Sequence, residues 1–163
     1  MNDKVRARFN AQLYAPEEMC SYKDTADFFW VTDHGTRGRI DMVVYSFPYV
    51  SGRTFTLDYL VAMRDSVLGE HIQGAFPGSY MTTEKRFTPS YEAISKNGEY
   101  CGVVRGLWEM EGDMMGGPFV SHAHLDEKNQ RVVVTETFVY APNTKKAKLL
   151  RRGEASLYTF CMD

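Results

Sequence analysis

The sequence predicts an α+β fold: an antiparallel sheet with the element order β-β-β-α-β-β-β-α and helices packed on it. Six segments have the alternation or the β-branched and aromatic content typical of strands. Two other segments carry apolar residues at helical spacing, one after the first three strands and one at the end of the chain. Because the strands come in runs, they favour an antiparallel sheet over a parallel one.

The N-terminal third is predicted to form a three-stranded meander. Val5–Leu13 alternates apolar and polar residues and predicts the first strand. Asp27–Asp33 predicts the second strand and Arg39–Tyr49 the third, and the segment HGTRG between them has the length and glycines of a hairpin loop.

A helix is expected next, capped by Thr54 or Thr56 and ending near Gly69. Arg64 and Asp65 within it are expected to form a surface pair, unless the arginine reaches a nearby loop. A weak strand follows from Tyr80, and residues 85–99 are predicted to be largely loop with a turn at Asn97-Gly98.

Three more strands and a second helix complete the prediction. The strands are Tyr100–Met110, Phe119–Leu125 and Arg131–Tyr140, the last rich in β-branched residues. The final helix is expected from about Thr144, with Asn143 as its N-cap.

Composition limits the function classes. A chain of 163 residues with a net charge of −2 predicts one domain, residues 1–163, with no general attraction to nucleic acid. Its three cysteines form no CxxC pair, which excludes the usual zinc ribbons and thioredoxin-type motifs, and no motif implies a cofactor. The N-terminus lacks a signal peptide and no apolar run approaches the ~20 residues that span a bilayer, so the chain is expected to be cytosolic or an excised portion of an exported protein.

The stretch GDMMGGPFVSH, Gly112–His122, has the least ordinary composition. It lacks the lysine and the following helix of a phosphate-binding loop. We therefore expect a turn between strands in which Gly116 and Gly117 supply unusual backbone angles. A second interpretation is that Met114 and Met115 expose a soft apolar lip for a ligand or partner.

His122 and His124 are weak candidates for metal ligands. On a strand they share a face, which Asp126 would continue, and two histidines with a carboxylate can bind a metal. The opposite face carries Phe119, Ala123 and Leu125, so we expect that face to be the core side and the histidines to be exposed.

Arg105 and Trp108 lie in a strand of mostly apolar neighbours. Such an arginine is expected to pair with an acid or with carbonyls, because an unpaired buried charge is costly. The functional alternative is anion recognition at a groove with Trp108 as one wall.

A long segment, RGLWEMEGDMMGGPFVSHAHLDEKNQRVVVTETFVYAP, is followed by EASLY and preceded by FFWV, VVYSFPY, LVAMRDSVL and GSYMTT. Together these segments resemble an uncharacterised lipoprotein family of Bacteroidetes. The resemblance covers nearly the whole chain and implies the C-terminal portion of a lipid-anchored protein of the cell envelope. Cys20 does not fit the cysteine that carries the lipid in such proteins, because no apolar stretch precedes it. The family brings no established ligand or catalytic residue. Separately, the element order is similar to the PsbP/Mog1-like sandwich, with a ferredoxin-like arrangement as the alternative.

Together these observations predict a non-catalytic binding or interaction module of the bacterial cell envelope, recognising an unknown protein or small ligand. Its surface would involve Gly112–Pro118, with Arg105 and Trp108 nearby. The membrane would be reached only through a lipid anchor outside this chain. A metal-assisted hydrolase using His122 and His124, and a structural domain that docks an N-terminal portion, are the alternatives.

Overall fold

The computed structural model describes residues 1–163, apart from the side chain of Ser21. In chain order its elements are α1 (Asn2–Phe9), β1 (Ala11–Gln12), β2 (Cys20–Asp24), β3 (Phe28–Thr32), β4 (Arg39–Pro48), a 3-10 turn (Gly52–Phe55), α2 (Leu57–His71), β5 (Tyr80–Thr83), β6 (Ser90–Lys96), β7 (Glu99–Glu111), β8 (Gly116–Asp126), β9 (Arg131–Tyr140), α3 (Ala147–Leu157) and β10 (Cys161–Met162).

The large sheet is antiparallel and has the strand order β2-β3-β4-β9-β8-β7-β5. Strand β7 is long enough to pair along one edge with two strands, β6 over its first half and β5 over its last residues. The short strands β1 and β10 form a separate pair that joins the two ends of the chain. The predicted α+β class and antiparallel sheet are confirmed.

Both faces of this sheet are covered. On one face α2 packs through Leu60, Val61 and Leu68. On the other, α1 contributes Val5 and Phe9, and α3 contributes Leu157. The central strands are therefore buried on both sides, and β3 and β9 accordingly form nearly continuous apolar and β-branched runs.

The N-terminal segment is a helix, so the predicted first strand is wrong. Val5 and Phe9 are buried, as an alternating strand would require, but they are also four residues apart and share a helix face. Ala7 is exposed, which a strand of that register would not allow. The helix ends at Asn10, whose φ of 53° is left-handed, and the remaining buried apolar residues lie beyond it.

Other boundaries also differ from prediction. Residues 85–99 contain β6, which is mostly exposed and has no apolar alternation, so its strand conformation follows from pairing with β7. The last helix begins at Ala147 with Lys146 as its N-cap residue, and Asn143, which has a left-handed φ of 59°, does not cap it. The first meander strand is Cys20–Asp24. The Thr56 cap, the Asn97-Gly98 turn and strands β7, β8 and β9 are confirmed.

Among the described residues, none of the helices combines the length and the apolar character needed to cross a membrane.

Candidate binding groove and buried histidine–cysteine cluster

The hairpin between β7 and β8 is shaped by close backbone contacts. Gly112 has a positive φ of 79°, which a side chain would strain. Gly117 lies where a Cβ atom would stand 2.0 Å from the Val139 carbonyl oxygen. The unusual backbone angle is therefore at Gly112, whereas Gly116 and Gly117 are extended residues of β8 that allow close approach of neighbouring strands.

This hairpin forms one side of a surface groove of about 490 Å³, a volume within the range of ligand sites. Met114, Met115, Gly116 and Gly117 line it, as does Phe87 from the connection between β5 and β6. The side chain of Met114 is 99% exposed and that of Phe87 is 62% exposed. Two apolar side chains thus project into solvent at one groove.

Most charged groups beside the groove are matched by a group of opposite sign. The Arg86 Nε donates to both carboxylate oxygens of Glu84 at 3.0 Å. Hydrogen bonds from the Arg86 side chain and backbone lower the pKa of Glu84 to about 2. Burial, and then the hydrogen bond and charge of Glu84, raise the pKa of the neighbouring Glu109. The groove therefore presents apolar surface with mostly paired charges, and Glu109 is the one carboxyl group in excess of the basic groups.

Trp108 and Arg105 do not form a common site. The indole of Trp108 borders the groove but is only 1% exposed, and its Nε1 donates to the Val139 carbonyl in the α2-side core at 3.1 Å. Arg105 lies on the opposite face of β7 and pairs with Glu154 of α3. The expectation that the two side chains share a groove is wrong, and the ion pair expected of Arg105 is confirmed.

The two histidines are buried rather than exposed. His122 is fully buried and His124 nearly so, because helices cover this face of the sheet as well. His122 meets the edge of the Tyr158 ring at 5.0 Å between centroids, and His124 lies 4.5 Å from the Phe160 ring. The third group beside them is Cys101 of β7, which is directly opposite His124 in the strand register.

The donor atoms of Cys101, His122 and His124 all lie within 4.8 Å of one another. Burial, followed by the nearby Lys96 charge, lowers the pKa of His122 to about 4, and the same causes place the pKa of His124 well below its ordinary value. Burial raises the pKa of the Cys101 thiol to about 11. All three groups are therefore neutral near pH 7.

Asp126 is engaged elsewhere. Its carboxylate accepts hydrogen bonds from Asn129 Nδ2 and from Arg131 Nε, both at 2.8 Å. It is Cys101, and not the expected acid, that completes the group of potential ligands.

Sequence reasoning missed Phe87, Arg86 and Cys101. Phe87 and Arg86 lie in a connection whose position depends on how β5 and β6 share the edge of β7. Cys101 is brought to the histidines only by the pairing of β7 with β8. One signal was available in the sequence. The HxH pattern lies in a strand that has apolar residues at both odd and even positions, which indicates that both faces of the strand are buried.

The architecture is that of the Mog1/PsbP-like proteins, which settles the choice against a ferredoxin-like arrangement. Within it, the chain belongs to the family described as a domain of unknown function, DUF4837, whose model matches residues 1–159. A comparison with curated protein sequences finds no match.

Solved structures share the fold at low sequence identity. The Ran-binding protein Mog1p of Saccharomyces cerevisiae has a TM-score of 0.53 and 8% identity, over 94% of this chain and 90% of that one. A point mutant of the protein Mog1 has a TM-score of 0.52 and 8% identity, over 94% of this chain and 90% of that one. A crystal structure from Bacteroides thetaiotaomicron has a TM-score of 0.46 and 10% identity. The match covers 94% of this chain, which spans 45% of that chain's length.

Proposed function

We propose that this protein is a non-catalytic binding module of the bacterial cell envelope, and that its groove holds an apolar side chain of a protein partner. The observation that carries the proposal is the exposure of Phe87 and Met114 at the same groove. Isolated exposed apolar residues are ordinary, but an aromatic and a flexible thioether together at a concave surface are typical of recognition sites.

The charges of the groove favour a peptide segment over a charged small ligand. Glu84 and Arg86 satisfy each other, Lys146 and Asp113 add one charge of each sign, and Glu109 adds one further carboxyl group, whose pKa is raised. An anion would find no uncompensated cationic partner there, and a cation would find only Glu109. An apolar anchor flanked by peptide groups would instead bury the two exposed side chains and use the polar rim for orientation.

Binding without catalysis is supported by the residues present. Among the groove residues as the structure describes them, neither histidine, cysteine nor serine occurs, so the commonest pairs of nucleophile and base are missing there. The hydrolase alternative needs Asp126 as its acid, but that carboxylate is paired with Arg131. The two histidines are buried, which leaves little access for a substrate.

The envelope location and lipid anchor rest on the resemblance to envelope lipoproteins of Bacteroidetes. The fold adds an analogy only: one protein of this architecture is described as Ran-binding, so the sandwich can serve protein recognition. The net charge of −2 supports a partner other than nucleic acid.

Selection of random displayed peptides against the purified chain tests the proposal. We expect enriched peptides with a large apolar residue, and we expect Phe87→Ala and Met114→Ala each to weaken their binding about tenfold or more, as loss of an anchor contact does. Phe76→Ala is the matched control, since Phe76 is 61% exposed but does not line the groove, and it should leave the affinity unchanged. Fluorescence anisotropy with labelled peptides gives the dissociation constants.

Equal affinities for wild type, Phe87→Ala and Met114→Ala would contradict the proposal. Failure to enrich any peptide, together with binding of the family's N-terminal portion supplied as a separate chain, would favour the docking-domain alternative.

A further inference from the structure

The cluster of Cys101, His122 and His124 lies outside the groove and has no part in the proposed recognition. It is built from two adjacent strands, with Cys101 opposite His124 and His122 two residues earlier on the same face. The Cys101 Sγ and His124 Nε2 atoms are 4.0 Å apart. All three residues are buried.

His122 has an unusual environment for a buried imidazole. Neither Nδ1 nor Nε2 has a hydrogen-bond partner among the groups that the structure describes. Burying a polar group without a partner is costly, and a neutral imidazole would recover part of that cost by donating the lone pair of one nitrogen to a metal ion. The unpartnered ring is thus independent of the cluster geometry and points to a ligand.

We propose that Cys101, His122 and His124 form a binding site for a soft monovalent cation, Cu(I). A thiolate with two imidazoles is a donor set that selects copper, and three protein ligands match trigonal coordination. On binding, the Cys101 thiol releases its proton to solvent as the sulfur–metal bond forms.

The surrounding charges favour a monovalent ion over Zn²⁺. Lys96, Arg105 and Glu154 are the charged groups that act on His122, and Glu99 lines the same pocket as Lys96, so the charges beside the site sum to zero. Cu(I) with one thiolate is neutral. Zn²⁺ with one thiolate would carry a positive charge in a buried position, which is costly without a compensating acid.

The geometry requires only a modest closure. Ligand bonds of about 2.0–2.3 Å place donor atoms roughly 3.5 Å apart, compared with separations of up to 4.8 Å here. A small pocket of about 110 Å³ reaches His124 from the surface and is also lined by Lys96, Phe160 and the exposed Cys161. This pocket offers a route for the ion to enter.

The test is an anaerobic titration of the reduced protein with Cu(I) in competition with bicinchoninate, a coloured Cu(I) chelator. We expect the wild type to bind one Cu(I) per chain and to withhold it from the chelator. Cys101→Ala and His122→Phe should each lower the affinity at least about 100-fold, since each removes a ligand. Cys20→Ser is the matched control at an exposed thiol away from the entry pocket and should change it only a few-fold.

X-ray absorption of the loaded wild type should show one sulfur and two nitrogen ligands, a readout that does not depend on any variant folding. The proposal is overturned if the wild type withholds no Cu(I), if the exposed cysteines rather than Cys101 account for the binding, or if equimolar Zn²⁺ displaces the ion.

Discussion

Arg64 is a buried arginine on the face of α2 that packs against the sheet. Its Nε donates to both carboxylate oxygens of Glu136 on β9 at 3.0 Å, and its Nη1 donates to Thr83 Oγ1 at 3.0 Å. Its guanidinium lies 3.8 Å from the centroid of the Phe119 ring. Arg64 Nη1 also lies 3.7 Å from Asp65 Oδ1, so the expected pair forms, but Arg64 is buried and not on the helix surface. Arg64 follows Leu60 and Val61 at helical spacing, so the apolar periodicity already assigned it to the buried face.

Replacing Arg64 by leucine should lower the free energy of unfolding by about 3–5 kcal/mol, because Glu136 would remain buried without its partner. Arg64→Leu combined with Glu136→Leu should recover most of the loss. Urea unfolding measures both variants. If the single variant Arg64→Leu were as stable as wild type, the Arg64–Glu136 pair would not be essential to the fold.

The same variant should acquire a pH dependence. Burial already raises the pKa of Glu136 despite the opposing charge of Arg64, and removing Arg64 raises it further. The folded state then binds a proton that the unfolded state has released, so stability should fall as pH rises above the ordinary glutamate pKa. Urea unfolding from pH 4 to pH 8 tests this. Stability that rises with pH in Arg64→Leu relative to wild type would contradict it.

At the scale of elements, α3 approaches β9 closely through a glycine. A Cβ atom at Gly153 would lie 2.1 Å from Thr137 Oγ1. Gly69 in α2 provides a contrast, since a Cβ atom there would meet its nearest neighbours at 3.4 Å. The two helices thus differ in how tightly they are seated on the sheet.

Gly→Ala usually stabilises a helix by up to about 1 kcal/mol. We expect Gly153→Ala instead to destabilise by about 1–3 kcal/mol, because α3 must move away from β9. Gly69→Ala should be neutral or mildly stabilising. Thermal melts of the two variants compare them directly, and a stabilised Gly153→Ala would mean that α3 packs more loosely than described.

The N-terminal helix offers a further comparison. Phe9→Ala should cost about 3–5 kcal/mol as a buried aromatic, whereas Ala7→Gln should change stability by less than about 0.5 kcal/mol. Chemical denaturation measures both. A large cost for Ala7→Gln would indicate that the segment is an alternating strand after all.

At the scale of the whole molecule, the sequence predicted the parts whose signal is local. Strands β7, β8 and β9 and helix α2 follow from β-branched content, periodicity and the Thr56 cap. Strand β6 was missed because it lacks apolar alternation, although the Asn97-Gly98 turn that joins it to its partner β7 is itself a hairpin signal. The second covered face also escaped local reasoning, and with it the burial of His122 and His124.

The groove shows the same limit. Its glycine–methionine side was singled out from composition, but its other side comes from Glu84, Arg86 and Phe87 in a connection some thirty residues earlier. Only the shared edge of β7 brings the two segments together. A site assembled from separate segments therefore depends on strand pairing, which single-sequence periodicity does not define.

Chemical-shift mapping with isotope-labelled protein and a selected apolar peptide tests recognition at the groove most directly. Our account predicts that the largest amide shifts occur in residues 84–87 and 112–118. Shifts concentrated instead along the exposed edge of β6, Ser90–Lys96, would contradict it and would place recognition at a strand edge.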